Sequence, residues 1–211
     1  MAAQETQPKR GRPRLTERRR EQNRAEIAAE AARLFVERGV AGTSVEDIAE
    51  AAGASRRTFW HYFSTKEEAV APLLVHALGR AAEAFEARPE GEPLLEALGR
   101  AMIGSARAGG DASNVVDIVR LAREEPGLRR VWLQATSDLE TRMVDAIAHR
   151  LGVDSHGLAI RVQAAMITSA IRIMTEEYAW HGDEYGENAG SILPETLRLV
   201  GEGFSPGSRE A

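Results

Sequence analysis

The chain has 211 residues and a formal net charge of −5, and its length allows one or two domains with a sizeable buried core. The complete absence of cysteine excludes a disulfide framework, thiolate metal sites and cysteine catalysis. No run of eighteen apolar residues is present and the N-terminus is polar and basic, so we expect no membrane segment, no signal peptide and a soluble cytoplasmic protein. Residues with helix preference dominate the composition, which predicts an all-α fold of about nine helices.

The charge is unevenly distributed along the chain. Residues 9–24 carry eight Lys and Arg against two Glu, a net charge of +6. Residues 71–211 carry 14 Lys and Arg against 21 Asp and Glu, a net charge of −7. Such asymmetry is typical of a DNA-binding part joined to a part that does not bind DNA.

The first predicted element is an extended basic arm. It contains the run RGRP, in which Gly11 and Pro13 disfavour helix, so a helix is expected to start near Thr16. This run resembles an AT-hook, and an extended arginine-rich strip can lie in a narrow A·T-rich minor groove. The alternative is a disordered tail that only attracts phosphates. Under either interpretation, the candidate DNA contacts of the arm are Arg10, Arg12 and Arg14.

The next three predicted helices form a compact helical unit. An apolar stripe at helical spacing predicts a helix that ends at Gly39; its residues are Ile27, Ala28, Ala31, Leu34 and Phe35. Residues 43–67 then read as two short helices joined by a tight turn at Gly53, followed by the start of another helix. Ser44 with Asp47 fits a capping box, and Ser55 can cap the second helix. This arrangement predicts a helix-turn-helix.

The second helix, from about Ser55 to Tyr62, is the expected reading helix in the major groove. Arginine donors match guanine O6 and N7, and a threonine methyl matches the thymine methyl. Backbone N–H groups at the start of the first helix favour a phosphate. We therefore predict DNA contacts at Thr43, Ser44, Ser55, Arg56, Arg57, Thr58, Trp60 and His61, whereas Phe59, Tyr62 and Phe63 should pack inward.

Residues 25–68 resemble the N-terminal domain of the TetR family of transcriptional regulators. The matching runs are LF-x-x-x-G ending at Gly39, TSV-x-DIA-x-x-AG at 43–53 and S-x-x-T-x-aromatic-x-aromatic-F-x-x-KE at 55–67. The family usually has Gly where this chain has Arg57, and Tyr where it has Trp60, so base preference does not carry over. The resemblance implies that Lys66 contacts a phosphate. It also implies a homodimeric, ligand-responsive regulator, most often a repressor of a palindromic operator.

Proline and glycine breaks divide the remainder into predicted helices at 65–87, 92–108, 112–124, 127–151, 155–181 and 191–203. Ser64 with Glu67 is expected to form a capping box for the first of these. The predicted segments are a basic disordered arm at 1–15, a helix-turn-helix domain at 16–64, an effector-binding and dimerisation domain at 65–204, and a flexible tail at 205–211.

The helices at about 155–181 and 191–203 are candidates for a dimer interface. The first carries a broad face of mostly small apolar residues, formed by Leu158, Val162, Ala165, Met166, Ser169, Ala170 and Ile173. The second offers Ile192, Leu193, Thr196, Leu197 and Val200. Core packing within one chain is the alternative interpretation of both faces. The resemblance implies dimerisation through the final two long helices.

An apolar pocket for a small hydrophobic effector is a further prediction. Its candidate lining residues are Met102, Val116, Leu121, Trp132, Met143, Met166 and Ile173, and a filled core is the alternative. The run RLAREEPGLRRVWLQ, followed by a helix ending AHRLGVD, is similar to the C-terminal domain of the mycofactocin-regulator branch. That resemblance implies an acyl-CoA-like effector.

Three other functions compete with a ligand-responsive repressor. For an enzyme, the five histidines show no metal-ligand spacing, and no glycine-rich phosphate loop or nucleophile elbow is present, so we predict no catalytic residue, metal or cofactor. A ligand-independent DNA-binding protein would share the same operator reading. So would an activator, because the sign of regulation depends on the operator position.

Overall fold

The computed structural model describes residues 13–108, 112–155, 157–185 and 191–202, and within these ranges the chain forms nine α-helices and no strand. The helices are α1 (Pro13–Arg38), α2 (Val45–Ala51), α3 (Arg56–Tyr62), α4 (Ala71–Glu86), α5 (Leu94–Ala108), α6 (Ala112–Leu121), α7 (Pro126–Leu151), α8 (Leu158–Tyr185) and α9 (Ile192–Glu202). A short 3₁₀ helix, Glu67–Val70, precedes α4. The all-α prediction is confirmed.

Helix α1 supports the N-terminal unit. Its predicted apolar stripe is buried throughout, and the helix ends where Gly39 takes a φ of +74°, which side chains with a Cβ disfavour. The predicted start near Thr16 is wrong, because α1 already begins at Pro13. Proline is tolerated in a first turn, where its missing N–H would have no intrahelical partner. Residues 17–26 are all exposed, so α1 projects beyond its own core.

The connection from α3 to α4 differs from the predicted single helix at 65–87. The predicted capping box of Ser64 with Glu67 is wrong. Instead, Thr65 Oγ1 accepts from the Glu68 N–H at 3.2 Å, and the Glu68 carboxylate accepts from the Ser64 N–H at 2.7 Å. These bonds begin the 3₁₀ helix, and Pro72 in the first turn of α4 has no N–H to continue an earlier helix.

The later helices follow the predicted blocks with two differences. Helix α6 ends at Leu121 and a turn leads to α7, which has Pro126 in its first turn. The predicted break at Gly182 is wrong, since α8 continues through it to Tyr185. A single glycine costs a helix only about 1 kcal/mol, which packing against neighbouring helices can offset.

Helix α7 is the central helix of the larger part of the molecule, which is formed by α4 to α9. Its buried face carries Leu128, Trp132, Met143 and Ile147, and α4 and α8 pack along it. The buried core is continuous from α1 to α8, and the boundary at 64/65 stays a prediction. The start of α7 also lies against the 3₁₀ helix. A Cβ added at Gly127 would lie 2.6 Å from Cγ of Glu67, so glycine allows this close approach.

The two helices predicted to dimerise differ in what they leave uncovered. Residues 158, 162, 166, 169 and 173 of α8 are exposed, whereas the named residues of α9 turn largely toward the core of their own chain. Leu197 lies against Gly99 of α5, and Ile192 is buried. The α9 residues predicted for the dimer interface therefore pack mainly within the protomer, and Leu199 is the large apolar side chain that α9 exposes.

Helix α8 is also the most apolar long segment of the described chain. Leu158–Gly182 is long and apolar enough to cross a membrane by length and composition, with a mean hydropathy of 1.2. Core helices of soluble proteins pass the same test, and 28% of this stretch is buried. Charged residues interrupt it on several sides, among them Arg161, Arg172 and Glu177, which favours a partner helix over lipid.

Candidate DNA-binding interface

Helices α2 and α3 are held at a fixed angle by their caps. Ser44 Oγ accepts from the Asp47 N–H at 3.1 Å, and the Asp47 carboxylate accepts from the Ser44 N–H at 2.8 Å, which completes the predicted capping box. At the other end of α2, the Gly53 N–H donates to Glu50 O and the Ala54 N–H donates to Ala49 O. This pair of bonds is a Schellman motif, and it requires the positive φ of Gly53, +62°.

The inner side of α3 is anchored by aromatic residues. Phe59 is fully buried, Phe63 is nearly so, and their ring centroids lie 5.3 Å apart. The prediction that these two rings pack inward is confirmed. Tyr62 is half-buried at the end of the helix. Because Phe59 fixes the rotation of α3, the residues on the opposite side of the helix must face outward.

The outer side of α3 presents cations and one aromatic ring. Arg56, Arg57 and His61 are exposed, and Trp60 is 47% exposed. Arg56 Nε lies 2.7 Å from a carboxylate oxygen of Glu46 on α2, whereas Arg57 has no hydrogen bond or ion pair within the described part of the chain. A duplex that approaches this side can contact Arg57 directly, because Arg57 is unpaired. Contact with Arg56 requires its exposed ion pair with Glu46 to break.

The predicted cap of α3 is confirmed. Ser55 Oγ accepts from the Thr58 N–H at 3.0 Å and lies 2.8 Å from Oγ1 of Thr58. Thr58 is therefore half-buried, with its hydroxyl engaged and its position fixed at the start of α3. Both residues stand at the end of the helix that would enter a groove first.

Thr43 does not belong to the exposed surface. It is 1% exposed, and its hydroxyl donates to the carbonyl oxygens of Gly39 at 2.9 Å and Leu34 at 3.3 Å. The expected DNA contact at Thr43 rested on a free backbone N–H, but this N–H donates to the Val40 carbonyl at 3.3 Å and the side chain ties the turn after α1 to that helix. Ser44 is exposed, but its N–H and hydroxyl both donate to the Asp47 carboxylate, so neither of these two groups is free for a phosphate.

The Asp47 carboxylate is held in its charged form by this box. Hydrogen bonds from the Ser44 hydroxyl and N–H lower the pKa of Asp47 below its ordinary value. A fixed negative charge at the start of α2 repels a phosphate at that point. Charge at the interface is therefore positive on α3 and α1, and negative at the α2 N-terminus.

Lys66 also has an internal role that the family pattern did not indicate. Its ammonium group donates to the carbonyl oxygens of Val40 at 2.6 Å and Thr43 at 2.9 Å, and the residue is partly buried. Two of the three ammonium donors hold the turn that connects α1 to α2, so the expected phosphate contact of Lys66 stays a prediction that only the third donor could fulfil in this conformation. A long-range contact of this kind leaves no local sequence signal.

The basic residues before α3 lie on the projecting part of α1. Arg18, Arg19, Arg20 and Arg24 are exposed, and the guanidinium of Arg24 lies 5.9 Å from the ring centroid of Phe63. Arg14, predicted in an extended arm, lies in the first turn of α1 by its backbone. The other two predicted arm contacts, Arg10 and Arg12, lie outside the described residues.

The residues predicted to line an effector pocket do not face one space. Trp132 and Met143 are fully buried, whereas Met166 and Ile173 are 38% and 55% exposed on α8, so these last two are wrong as pocket residues of a single chain. The remaining three, Met102, Val116 and Leu121, are partly buried against the core. Apolar residues on different faces of neighbouring helices give the same sequence pattern whether they face a core, a cavity or a partner.

The core of the larger part contains a polar group that the sequence analysis missed. Trp132 Nε1 donates to Oε1 of Glu176 at 3.0 Å, and Arg172 lies 2.8 Å from Oε2 of the same carboxylate. Glu176 is 6% exposed, so its charge is paired and hydrogen-bonded inside the fold. The i,i+4 spacing of Arg172 and Glu176 was the available signal, but it reads equally as a surface pair.

A cleft of about 430 Å³ lies between α7 and the reading unit, which is formed by α1 to α3. Its walls include Arg24, Tyr62, Phe63, Glu68, Arg130 and Gln134. None of the predicted effector residues lines it. It lies where the end of α3 meets the first turns of α7, at the junction through which the two parts of the molecule contact each other.

Comparisons with known proteins match both parts of the chain. The profile described as "Bacterial regulatory proteins, tetR family" matches residues 27–71, and the profile described as "MftR C-terminal domain" matches residues 92–205. The chain is 33% identical over 180 residues to the HTH-type transcriptional regulator TcmR of Streptomyces glaucescens, covering 81% of this chain and 79% of that protein. The chain belongs to the TetR family of transcriptional regulators.

Other TetR-family proteins agree with this assignment. The HTH-type transcriptional repressor AcnR of Corynebacterium diphtheriae is 30% identical over 133 residues, covering 63% of this chain and 65% of that protein. The fold is shared with Thermus thermophilus FadR, a TetR-family repressor solved with lauroyl-CoA, at a TM-score of 0.55 and 24% identity over 89% of this chain and 98% of that one. Both sequence relatives are HTH-type transcriptional regulators. The resemblances to the TetR family and to the mycofactocin-regulator branch are both confirmed.

Proposed function

We propose that this TetR-family regulator is a cytoplasmic, homodimeric repressor that reads a palindromic operator with α3. The observation that carries the proposal is the division of α3 into a buried side at Phe59 and an exposed cationic side at Arg56 and Arg57. A short helix anchored by one aromatic ring presents its opposite face rigidly, which base readout requires. Arg57 is the proposed base contact, since it has no internal partner within the described residues.

The exposed positions of α3 divide into proposed roles. Arg57 and Arg56 suit guanine, the Thr58 methyl suits thymine, and Trp60 and His61 offer N–H donors to phosphates. Ser55 supports this end of the helix through its cap. The exposed arginines of α1 add sequence-independent attraction to the DNA backbone.

Dimerisation is proposed through α8. Leu158 is 75% exposed, and Val162, Met166 and Ile173 continue the same stripe along the helix. An exposed apolar stripe of this length on a soluble protein indicates a partner surface. A second copy suits it, because a two-fold axis presents two reading helices to successive major grooves. Leu199 of α9 extends the surface at its edge.

The proposed effector is a small hydrophobic or acyl-CoA-like molecule bound in the part formed by α4 to α8. The match to the MftR C-terminal domain and the fold shared with FadR, which was solved with lauroyl-CoA, support this class. Helix α4 contacts both α1 and the helices of the larger part, so a change in its position would reach the reading unit. Effector binding would then favour a spacing of the two α3 helices that no longer fits the operator.

The proposal is tested by operator release. The chain is first bound to a duplex selected from genomic fragments, and palmitoyl-CoA is then titrated at fixed salt, with coenzyme A as the control ligand. Release by palmitoyl-CoA and not by coenzyme A is expected. A chain that binds the duplex but keeps it at saturating palmitoyl-CoA would contradict this effector class and leave operator reading intact.

A further inference from the structure

Arg80, in the middle of α4, has a guanidinium that the fold does not satisfy. Its Nε is sealed from solvent without a hydrogen-bond acceptor, and its Nη2 reaches only the carbonyl oxygen of Ser105 on α5, at 3.3 Å. The residue is partly buried, and it forms no ion pair with a carboxylate of the described residues. A buried N–H donor without an acceptor is destabilising, so such a group calls for a partner, which can be a water, an ion or a ligand.

Three other partly buried arginines of this region are satisfied in one of two ways. Arg142 and Arg172 each lie 2.8 Å from a carboxylate oxygen, of Glu86 and Glu176 respectively. Arg150 donates to backbone carbonyls at the turn between α4 and α5, with two contacts of 2.6 Å. Arg80 differs from all three, because its Nε is sealed from solvent without an acceptor and its guanidinium makes only the 3.3 Å contact to Ser105.

The unsatisfied edge of Arg80 has a defined chemical preference. Nε and Nη2 form the side-on edge of a guanidinium, which donates two parallel hydrogen bonds to the two oxygens of a carboxylate or phosphate. Ser105 occupies only one of these positions, and at the long limit of a hydrogen bond. Met102 lies one turn before Ser105 on α5 and is partly buried against the apolar core.

The location of Arg80 connects such a ligand to the reading unit. Nε is sealed from solvent, and Nη2 of the same guanidinium bonds to Ser105 across the packed pair α4 and α5, so the route proposed for an oxyanion requires these helices to move apart. The 3₁₀ helix connects α4 to the reading unit, and α4 also contacts α1. The conformation that accepts an anion at Arg80 therefore differs in the position of α4 from the conformation described here, as allosteric coupling requires.

We propose that Arg80 anchors the acidic group of the effector, and that the ligand is an amphiphile with an oxyanion at one end of an apolar chain. This inference rests on the proposed effector response and specifies its chemistry. Two ligand types share this chemistry. A free fatty acid supplies a carboxylate oxyanion, and an acyl-CoA thioester supplies the phosphate oxyanions of coenzyme A. An uncharged lipid of the same chain length lacks it.

The test compares three probes, sodium palmitate, palmitoyl-CoA and hexadecanol, on the full chain and on Arg80→Met, Arg80→Lys and Arg129→Met. Arg129 is the matched control, since it is also partly buried, and it lies over the Trp180 ring 5.9 Å away. Affinity is measured by titration calorimetry, folding by thermal unfolding without ligand, and operator affinity separately.

The unmodified chain is expected to bind at least one charged probe about tenfold or more tightly than hexadecanol. Arg80→Met should lose this preference, Arg80→Lys should keep part of it, and Arg129→Met should behave as the unmodified chain. The unfolding midpoint of Arg80→Met should be unchanged or higher, because an unsatisfied donor is removed, whereas a merely structural arginine would lower it. Tighter binding of palmitate would indicate that Arg80 binds a carboxylate. Tighter binding of palmitoyl-CoA would indicate that Arg80 binds a phosphate.

Equal affinity of Arg80→Met and the unmodified chain for the charged probe would overturn the anchor while leaving the proposed function in place. Binding of none of the probes by a chain that still binds its operator would overturn both the anchor and the acyl effector class. Charge-dependent binding through Arg80 without operator release would support the anchor and contradict the release mechanism.

Discussion

Lys66 Nζ donates a hydrogen bond of 2.6 Å to the carbonyl oxygen of Val40, which joins the segment after α3 to the turn after α1. The bond spans the reading unit, and a second bond to the Thr43 carbonyl lies beside it at 2.9 Å. The position that the family pattern assigns to phosphate binding therefore stabilises the platform from which α3 projects.

The first prediction concerns Lys66→Met. Loss of two charge-assisted bonds to partly buried carbonyls should lower the free energy of unfolding by roughly 2 kcal/mol. Thermal unfolding of the full chain measures the loss. The comparison is Thr65→Ala, which removes a weaker, local hydrogen bond of the adjacent exposed residue. An unchanged midpoint combined with weaker binding to every duplex would restore the phosphate role and contradict the structural one.

Arg57 carries the prediction on base preference. Arg57→Ala should cost about 1–3 kcal/mol at one operator position and relax the preference there. Arg18→Ala, which removes an exposed cation of α1, should weaken binding to all sequences alike and reduce the salt dependence. Competition binding with single-base operator variants distinguishes the two. Equal losses on operator and random duplex for both variants would refute the assigned roles.

The reading unit could be predicted from sequence because local signals determine it. Ser44 with Asp47, Gly53 and Ser55 are caps and turns read within a few residues, and each is confirmed. The internal hydrogen bonds of Thr43 and Lys66 were not predicted, for the opposite reason. Their partners lie on distant turns of the chain, and the same residue types serve equally at a surface or between backbone carbonyls.

The larger part was predictable in its helices but not in its surfaces. Proline and glycine breaks gave most helix limits, and they failed at Gly182, where packing overrides a single glycine. Apolar periodicity identified the exposed stripe of α8. It could not distinguish that stripe from the α9 face that packs inward, or from the sealed Trp132 and Met143, because all satisfy the same spacing.

The ion pair between Arg142 and Glu86 predicts a pH dependence of stability. A side-chain hydrogen bond from Arg142 lowers the pKa of Glu86, so the folded state favours the charged carboxylate more than the unfolded chain does. The stabilisation is present above the ordinary glutamate pKa and is lost as pH falls through the lowered folded value. Both side chains are more than a third exposed, so the effect should stay below about 1 kcal/mol.

Denaturant unfolding of Glu86→Gln against the unmodified chain measures this contribution. The two should differ near pH 7 and converge in acid, and high salt should narrow the difference. Glu90→Gln, which changes an exposed glutamate, is the control and should match the unmodified chain throughout. A difference between Glu86→Gln and the unmodified chain that persists at the lowest pH would mean that the ion pair is not its cause.

The exposed stripe of α8 predicts the effect of a charge placed on it. Ile173→Glu should produce a monomer by light scattering, and its operator affinity should fall more than tenfold, because one reading helix binds weakly alone. Val153→Glu is the matched control, since Val153 is 49% exposed but lies outside the stripe. A dimer that survives Ile173→Glu with full operator affinity would move the interface elsewhere.

The central claim is that the exposed side of α3 reads duplex DNA from a two-fold dimer. The most direct measurement is selection of genomic fragments by the purified full chain at physiological salt, followed by sequencing. The account predicts an enriched inverted repeat whose half-site centres lie about one helical turn apart, and Arg57→Ala should relax one base in each half. Fragments without an inverted repeat, or no enrichment over random DNA, would contradict it.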